Sequence, residues 1–173
     1  PEIFAAFAAE FGNNHAVELV MKSDYFRDGD IKAQQMIADL RGLGFENWRL
    51  NWGYVDLDAI ADMYRTADVF LSAPRGEAWG LPIIEAAASG LPVISTMYSG
   101  HAEFLRPIRS SVVDVAWTLD SVDCSEYKGY YPFPDGNWGE WAMPKVESIR
   151  DSMRFAYENH LDLAPKALKN SAV

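Results

Sequence analysis

Short apolar runs alternate with segments of helical periodicity through the first 95 residues, and this alternation constrains the fold more than any other feature. The helical segments are 2–11, 31–42, 57–66 and 81–89, and the strand-like runs are 16–21, 48–52, 68–72 and 92–95. Strands that alternate with helices in this way form βαβ units, in which parallel strands are covered by helices on both faces. The predicted fold class is therefore α/β, with three αβα layers around a parallel sheet.

The pattern loses its regularity after His101, where we expect a short helix over 102–106 and a strand over 111–115. Residues 117–143 combine Gly, Pro, Asp and aromatic residues without a clear period, and we expect a long irregular excursion there with a small hairpin. A helical pattern follows over 144–159, with Pro144 in its first turn, and a second short helix is expected over 162–170. No segment resembles a linker, so the 173 residues are predicted to form a single domain.

Charge and cysteine content exclude several classes of function. The sequence holds 15 basic and 25 acidic residues, and its net charge of -10 disfavours a nucleic acid or an anionic membrane as the main partner. One cysteine, Cys124, excludes an internal disulfide, and the three histidines lack the spacing of metal ligands. The cysteine count and the histidine spacing lead us to expect no bound metal. The sequence contains no pattern typical of a transmembrane helix or a signal peptide, and we expect a cytoplasmic protein.

The segment 75–90, RGEAWGLPIIEAAASG, follows a predicted strand and leads into a predicted helix. In an open parallel sheet, loops of this kind lie at the carboxyl ends of the strands, where ligands bind. Gly76 and Gly80 allow the backbone to approach a ligand closely. The helix that begins near Leu81 directs free N–H groups and the positive end of its dipole at the same loop, so the sequence predicts an anion site here.

Two carboxylates accompany this site. Glu77 lies just before the helix and Glu85 lies in its second turn. Because the residues around Glu85 are apolar, we expect its carboxylate to be buried and therefore paired or bound to a ligand. The structural alternatives are a buried Arg or a backbone amide as the partner of Glu85, and a helix-capping role for Glu77. A ligand with phosphates in the middle and hydroxyls at both ends, such as a nucleotide sugar, suits two carboxylates that flank an anion site.

The stretch from Ile60 to Leu105 resembles the donor-binding half of retaining GT-B glycosyltransferases, the group that includes glycogen synthase-like and mannosyltransferase-like enzymes. The Glu-x7-Glu motif at Glu77 and Glu85 carries the resemblance, together with a Gly-Leu-Pro turn, a Gly-Leu-Pro-Val-Ile strand entry and a Ser-Gly pair followed by Glu103. The resemblance implies a Rossmann-like domain, which is half of a GT-B fold. It also implies an enzyme of glycan biosynthesis that transfers a hexosyl group from a nucleoside-diphosphate sugar to an acceptor hydroxyl with retention of configuration.

The resemblance implies roles for individual residues. Glu77 would lie in the catalytic site against hydroxyls of the transferred sugar, and Glu85 would bind the ribose hydroxyls of the nucleotide. Backbone amides of one turn would contact the sugar and diphosphate, and one loop would lie against the base. The residues of this turn and this loop are Trp79, Gly80, Leu81, Gly53, Tyr54 and Val55. The alternative for Trp79 is simple packing, and for Tyr54 it is packing on the helix over 57–66.

Three further residues are expected on the phosphate side of the ligand. Lys22 closes a predicted strand, whereas Ser99 and Gly100 follow another strand on the ligand edge. The alternative for Lys22 is a solvated strand end. We expect the next residue, His101, to be a local structural residue.

The sequence departs from the family pattern in several respects, among them residues 106–111 in place of a usual Gly-rich turn and a poor match over 116–143. It begins after the strand whose Gly-Arg…Lys element supplies the cations that hold the donor diphosphate, and it lacks the N-terminal domain that holds the acceptor. We therefore expect a donor-binding fragment, residues 1–173, that has no turnover alone and whose partner is the N-terminal domain of the same enzyme. Peripheral membrane contact is expected only in the full-length protein. No cofactor is expected, because the nucleotide sugar is a substrate.

Two other classes of function stay open at this point. One is another GT-B-type enzyme, such as a nucleotide-sugar epimerase or a phosphorylase, although the Glu-x7-Glu spacing argues against an epimerase. The other is a non-catalytic nucleotide-binding module. In addition, the aromatic residues between Gly129 and Trp138 predict either a cover for the edge of the core or a partner surface.

Overall fold

The computed structural model describes residues 2–23, 29–122 and 138–172. Within these ranges the helices are α1 Glu2–Phe11, α2 Gly29–Gly42, α3 Leu57–Thr66, α4 Leu81–Ala88, α5 Ala102–Leu105, α6 Val146–Glu158 and α7 His160–Asn170. The strands are β1 Leu19–Ser23, β2 Trp48–Trp52, β3 Phe70–Ser72, β4 Val93–Thr96, β5 Val112–Val115, β6 Trp117–Ser121 and β7 Glu140–Pro144. Cys124 and most of the predicted aromatic stretch lie outside the described residues.

The parallel strands form two hydrogen-bonded groups. β1 pairs with β2, and β3, β4 and β5 pair in that order, all in parallel register. The two groups share one apolar core, because side chains of both pack in the same cluster, among them Leu19 of β1, Trp48 of β2 and Ile94 of β4. The predicted α/β class with parallel pairing is confirmed.

β4 shows how the layers are arranged. All four of its residues are buried, which requires cover on both faces because successive strand side chains point to opposite sides. Ile94 packs with residues of α1 and α6, such as Phe7 and Ile149. Its neighbour Val93 packs with Ile83 of α4 and with α5. Helices therefore lie on both faces of this strand, as the predicted three-layer arrangement requires.

The face formed by α1 and α6 is held by aromatic packing. The ring centroid of Phe7 lies 5.7 Å from that of Phe11 and 5.5 Å from that of Phe45. All three side chains are almost completely buried, and full burial of each contributes about 2–3 kcal/mol. Ile149 of α6 closes the same cluster.

The irregular region contains the predicted small hairpin, which is the antiparallel pair β6–β7. The expectation for Pro144 is wrong, because it is the last residue of β7 and pairs with Trp117, and α6 begins at Val146. A proline is tolerated at the end of an edge strand, where its missing N–H costs no ladder hydrogen bond. The Lys145 N–H then donates to the Ala116 carbonyl at 2.9 Å and connects the hairpin to the helix.

No helix among the described residues is long and apolar enough to cross a membrane.

Candidate functional site

The loop between β3 and α4 reaches the helix through a left-handed residue. Gly80 is the N-cap of α4 with φ +78°, a conformation that glycine adopts without the steric cost other residues meet. Pro82 occupies the first turn, where no N–H is needed for the helix. The loop thus delivers Glu77 and the amino end of α4 to the carboxyl edge of the β3–β4–β5 sheet, and this is the edge where ligands bind in open α/β sheets.

A second loop, which follows β4, is bonded to the backbone of Glu77. The Ser99 hydroxyl donates to the Glu77 carbonyl and accepts from the Glu77 N–H, both at 2.9 Å. The Gly100 N–H donates to the same carbonyl at 3.1 Å. A Cβ atom on Gly100 would lie 1.8 Å from the Ala78 carbonyl oxygen, so only glycine fits this approach. The structure therefore brings Ser99 and Gly100 together with Glu77, and these contacts position the Glu77 loop.

The two carboxylates differ from the sequence expectation in one respect. Glu77 is exposed, and so is Glu85, so the prediction that Glu85 is buried is wrong. The reason is the helical period, because Leu81, Glu85 and Ala88 form one exposed stripe of α4 while its core contacts are made by Ile83. Leu81 itself is 62 % exposed. The apolar composition of this short helix therefore led to a wrong prediction of which face is buried.

The partner of Glu85 is a tyrosine that the sequence did not reveal as a site residue. The Tyr64 hydroxyl of α3 donates to Oε2 of Glu85 over 3.0 Å, and it lies 3.3 Å from the Pro82 carbonyl. Burial raises the pKa of Tyr64 above its ordinary value, and the hydrogen bond to Glu85 and the charge of that carboxylate raise it further. The predicted alternatives, a buried Arg or a backbone amide, are not the partner that the structure gives.

The loop after β2 lies beside the end of β1. The register places Ser23 opposite Trp52, and the Gly53 N–H donates to the Ser23 carbonyl at 3.1 Å. Tyr54 is 88 % exposed, so its ring does not pack on α3 as the structural alternative supposed, and Val55 is partly buried. Lys22 is exposed near the end of β1. The structure therefore places Lys22, Gly53, Tyr54 and Val55 near the carboxyl ends of one pair of strands.

Several nearby side chains have structural contacts. His101 is fully buried, and its Nε2 bonds the Thr96 carbonyl, in agreement with a local structural role. The Trp79 ring lies 5.4 Å from that of Phe104, which supports packing for this side chain.

Arg75 forms an ion pair with Glu2 at 2.6 Å and lies 4.9 Å over the ring of Trp141. The Thr96 hydroxyl donates to the Pro74 carbonyl at 2.7 Å and holds the start of the Glu77 loop. The sequence did not predict this contact.

Solved structures with this fold define its class. A crystal structure of the GtfA/B complex aligns over 99 % of this chain and 29 % of its own with a TM-score of 0.67 and 13 % sequence identity. The C-terminal domain of a glycosyl transferase group 1 family protein, LpcC from Francisella tularensis, aligns over 99 % of this chain and 76 % of its own, with a TM-score of 0.64 and 18 % identity. The fold is that of a GT-B glycosyltransferase domain.

The sequence identifies the family. Residues 6–116 match the family described as glycosyl transferases group 1, and the chain belongs to that family. Mannosylfructose-phosphate synthase of Agrobacterium fabrum (strain C58 / ATCC 33970) is 38 % identical over 66 residues, and the probable sucrose-phosphate synthase 5 of Oryza sativa subsp. japonica is 27 % identical over 99 residues. These matches cover 38 % and 57 % of this chain, and they span only 14 % and 9 % of the two relatives.

Proposed function

We propose that this chain is the donor-binding domain of a retaining glycosyltransferase that moves a hexosyl group from a nucleoside-diphosphate sugar to an acceptor hydroxyl. The observation that carries the proposal is the arrangement around the amino end of α4. Glu77 precedes this helix end in a loop whose backbone is hydrogen-bonded to Ser99, a residue of the loop that follows β4. Glu85 lies exposed on the second turn of the helix. Membership of the glycosyl transferases group 1 family supports the same reaction class.

In the proposed reaction the bond between the anomeric carbon and the diphosphate oxygen breaks, and a bond from that carbon to the acceptor oxygen forms. The acceptor proton leaves with the diphosphate or passes to solvent. Negative charge develops on the leaving diphosphate, and the amino end of α4 with the amides of Gly80 and Leu81 would stabilise it. These groups are backbone dipoles, so the acidic net charge of the chain does not oppose anion binding.

The two carboxylates would hold the ends of the donor. Glu77 would accept hydrogen bonds from hydroxyls of the transferred sugar, and Glu85 would accept them from the ribose. The loop of Gly53, Tyr54 and Val55 would lie against the base, and the 88 % exposed ring of Tyr54 supports this role because it leaves a face on which a base can stack.

Calorimetric titration of this chain with UDP, GDP and ADP tests the proposal. We expect one nucleotide to bind, and we expect Glu85→Ala to weaken its binding at least about tenfold, because hydrogen bonds to a charged group contribute roughly 1.5–3 kcal/mol. Glu147→Ala is the matched control, since Glu147 is an exposed helical glutamate on α6. Equal weakening by both substitutions, or no binding of any of the three nucleotides, would contradict the proposal.

A further inference from the structure

The contact between Tyr64 and Glu85 joins two elements that the chain places apart. Tyr64 lies in the last turn of α3, and Glu85 lies on the exposed face of α4. The Tyr64 ring is partly buried, and its centroid lies 6.0 Å from that of Phe70 in β3. The ring therefore packs against β3, and its hydroxyl reaches the exposed carboxylate of Glu85.

The Tyr64 hydroxyl has a single proton to donate. A phenol has a single O–H, and two acceptors lie near it, the Glu85 Oε2 at 3.0 Å and the Pro82 carbonyl at 3.3 Å. The carboxylate is both nearer and negatively charged, and hydrogen bonds to charged acceptors are the stronger ones. A phenol with its ordinary pKa of about 10 is already protonated at neutral pH, and burial and Glu85 raise the pKa of Tyr64 further. Tyr64 is thus a permanent donor to Glu85.

A permanent donor at Oε2 fixes the carboxylate. An exposed glutamate rotates about several bonds, and ordering such a side chain on binding costs affinity. Each carboxylate oxygen accepts more than one hydrogen bond, so the bond from Tyr64 leaves the group able to accept two hydroxyls of a diol. A group fixed in this way before the ligand arrives binds it at a smaller entropic cost.

We propose that Tyr64 is a positioning residue that holds the Glu85 carboxylate in the orientation that receives the ribose hydroxyls of the nucleotide. The inference rests on the proposed function, since it assumes that Glu85 contacts the ribose. The competing role is purely structural, in which the Tyr64 hydroxyl joins α3 to the first turn of α4 through Pro82. The two roles predict different selectivity for ribose.

The experiment compares UDP, GDP and ADP with their 2′,3′-dideoxy counterparts by calorimetry and takes the ratio of the two dissociation constants. For the nucleotide that binds, we expect the wild-type chain to prefer the ribose form at least about tenfold. Tyr64→Phe should reduce this preference about fivefold, roughly the cost of ordering one flexible side chain, and should leave the affinity for the dideoxy form unchanged. Tyr64→Phe should have no further effect when Glu85→Ala is already present.

Tyr157→Phe is the control, because it removes a hydroxyl from a half-exposed ring on α6 that packs on Phe11 instead. Equal weakening of the ribose and dideoxy forms by Tyr64→Phe would overturn the positioning role and favour the structural one. A preference for the ribose form over the dideoxy form that depends on Glu85 but not on Tyr64 would overturn this inference alone and leave the proposed function standing. A preference that survives Glu85→Ala, or no nucleotide binding by the wild-type chain, would overturn the proposed function and this inference together.

Discussion

One face of the β3–β4–β5 sheet and the carboxyl edge of the same sheet are stabilised by different interactions. Under α1 and α6, the contacts are between large apolar side chains such as Phe7, Phe11 and Ile149, and these are almost completely buried. At the carboxyl edge, the loop of Glu77 is held by hydrogen bonds between short side chains and the backbone, such as those of Ser99 and Thr96. The first region should therefore determine the stability of the domain, and the second should determine how well it binds a ligand.

This division of roles has a physical reason. Apolar packing gains free energy in proportion to buried area and has little directional preference. A binding loop must instead present exposed groups at fixed positions, so hydrogen bonds and close backbone contacts hold it in place of burial. Substitutions in the packed face and at the carboxyl edge should consequently change different observables.

Phe7→Ala should have the largest effect of the substitutions considered. Removal of this buried ring leaves a cavity, and we expect the free energy of unfolding to fall by about 3–5 kcal/mol. Denaturant unfolding followed by tryptophan fluorescence measures the change. Phe155→Ala, at a ring that is 50 % exposed on α6, should cost less than about 1 kcal/mol. The nucleotide affinity of the folded fraction should be the same in both variants, and a selective loss of affinity in Phe7→Ala would break the division.

Gly100→Ala should show the opposite balance. The added Cβ would lie 1.8 Å from the Ala78 carbonyl oxygen, so the loops of Glu77 and Ser99 must separate. We expect a stability loss of about 1–3 kcal/mol, in the range typical of overpacking, together with loss of detectable nucleotide binding. Calorimetry with UDP, GDP and ADP measures the second effect.

Gly42→Ala is the matched control for Gly100→Ala. Gly42 is the last residue of α2, and a Cβ there would have no heavy atom within 4 Å. We expect its binding to resemble that of the wild-type chain. If Gly100→Ala binds nucleotide as well as Gly42→Ala does, the contact between the loops of Glu77 and Ser99 does not position the site.

The same difference explains what the sequence could predict. All ten elements expected through residue 115 are present, because apolar periodicity reports the faces that pack on the core. The bounds of the first strand are wrong, since it was expected over 16–21 and lies at Leu19–Ser23. The Glu77 and Glu85 motif was recognisable because both residues lie in one continuous segment. The bond from Tyr64 to Glu85 and the close approach of Gly100 to Ala78 depend on how separate segments meet in space. Local periodicity carries no information on such contacts.

The burial of Glu85 was mispredicted for a related reason. Helix α4 has only eight residues, and nearly all of them are apolar, so composition could not distinguish its buried face from its exposed face. Tertiary contacts decide between them, and they place Ile83, Ala86 and Ala87 against the core. The exposure of Glu85 removes the argument from burial, and it leaves the carboxylate accessible from solvent.

Alkaline titration gives the smallest effect and examines the Tyr64–Glu85 contact without a ligand. The pKa of Tyr64 in the folded chain is raised by burial and by Glu85, whereas in the unfolded chain it lies near its ordinary value of about 10. Since the folded state binds the phenol proton more tightly, the stability from this group is complete below about pH 10 and is lost as the pH rises through the folded-state pKa. The free energy of unfolding of the wild-type chain should therefore exceed that of Tyr64→Phe by a constant amount near neutral pH, and this difference should shrink above about pH 10.

Glu85→Gln should lower the pKa of Tyr64, because it removes the negative charge beside the phenol, and NMR of the Tyr64 ring measures that change. A Tyr64 pKa that does not respond to Glu85→Gln would show that burial alone sets it and that the phenol does not hold the carboxylate.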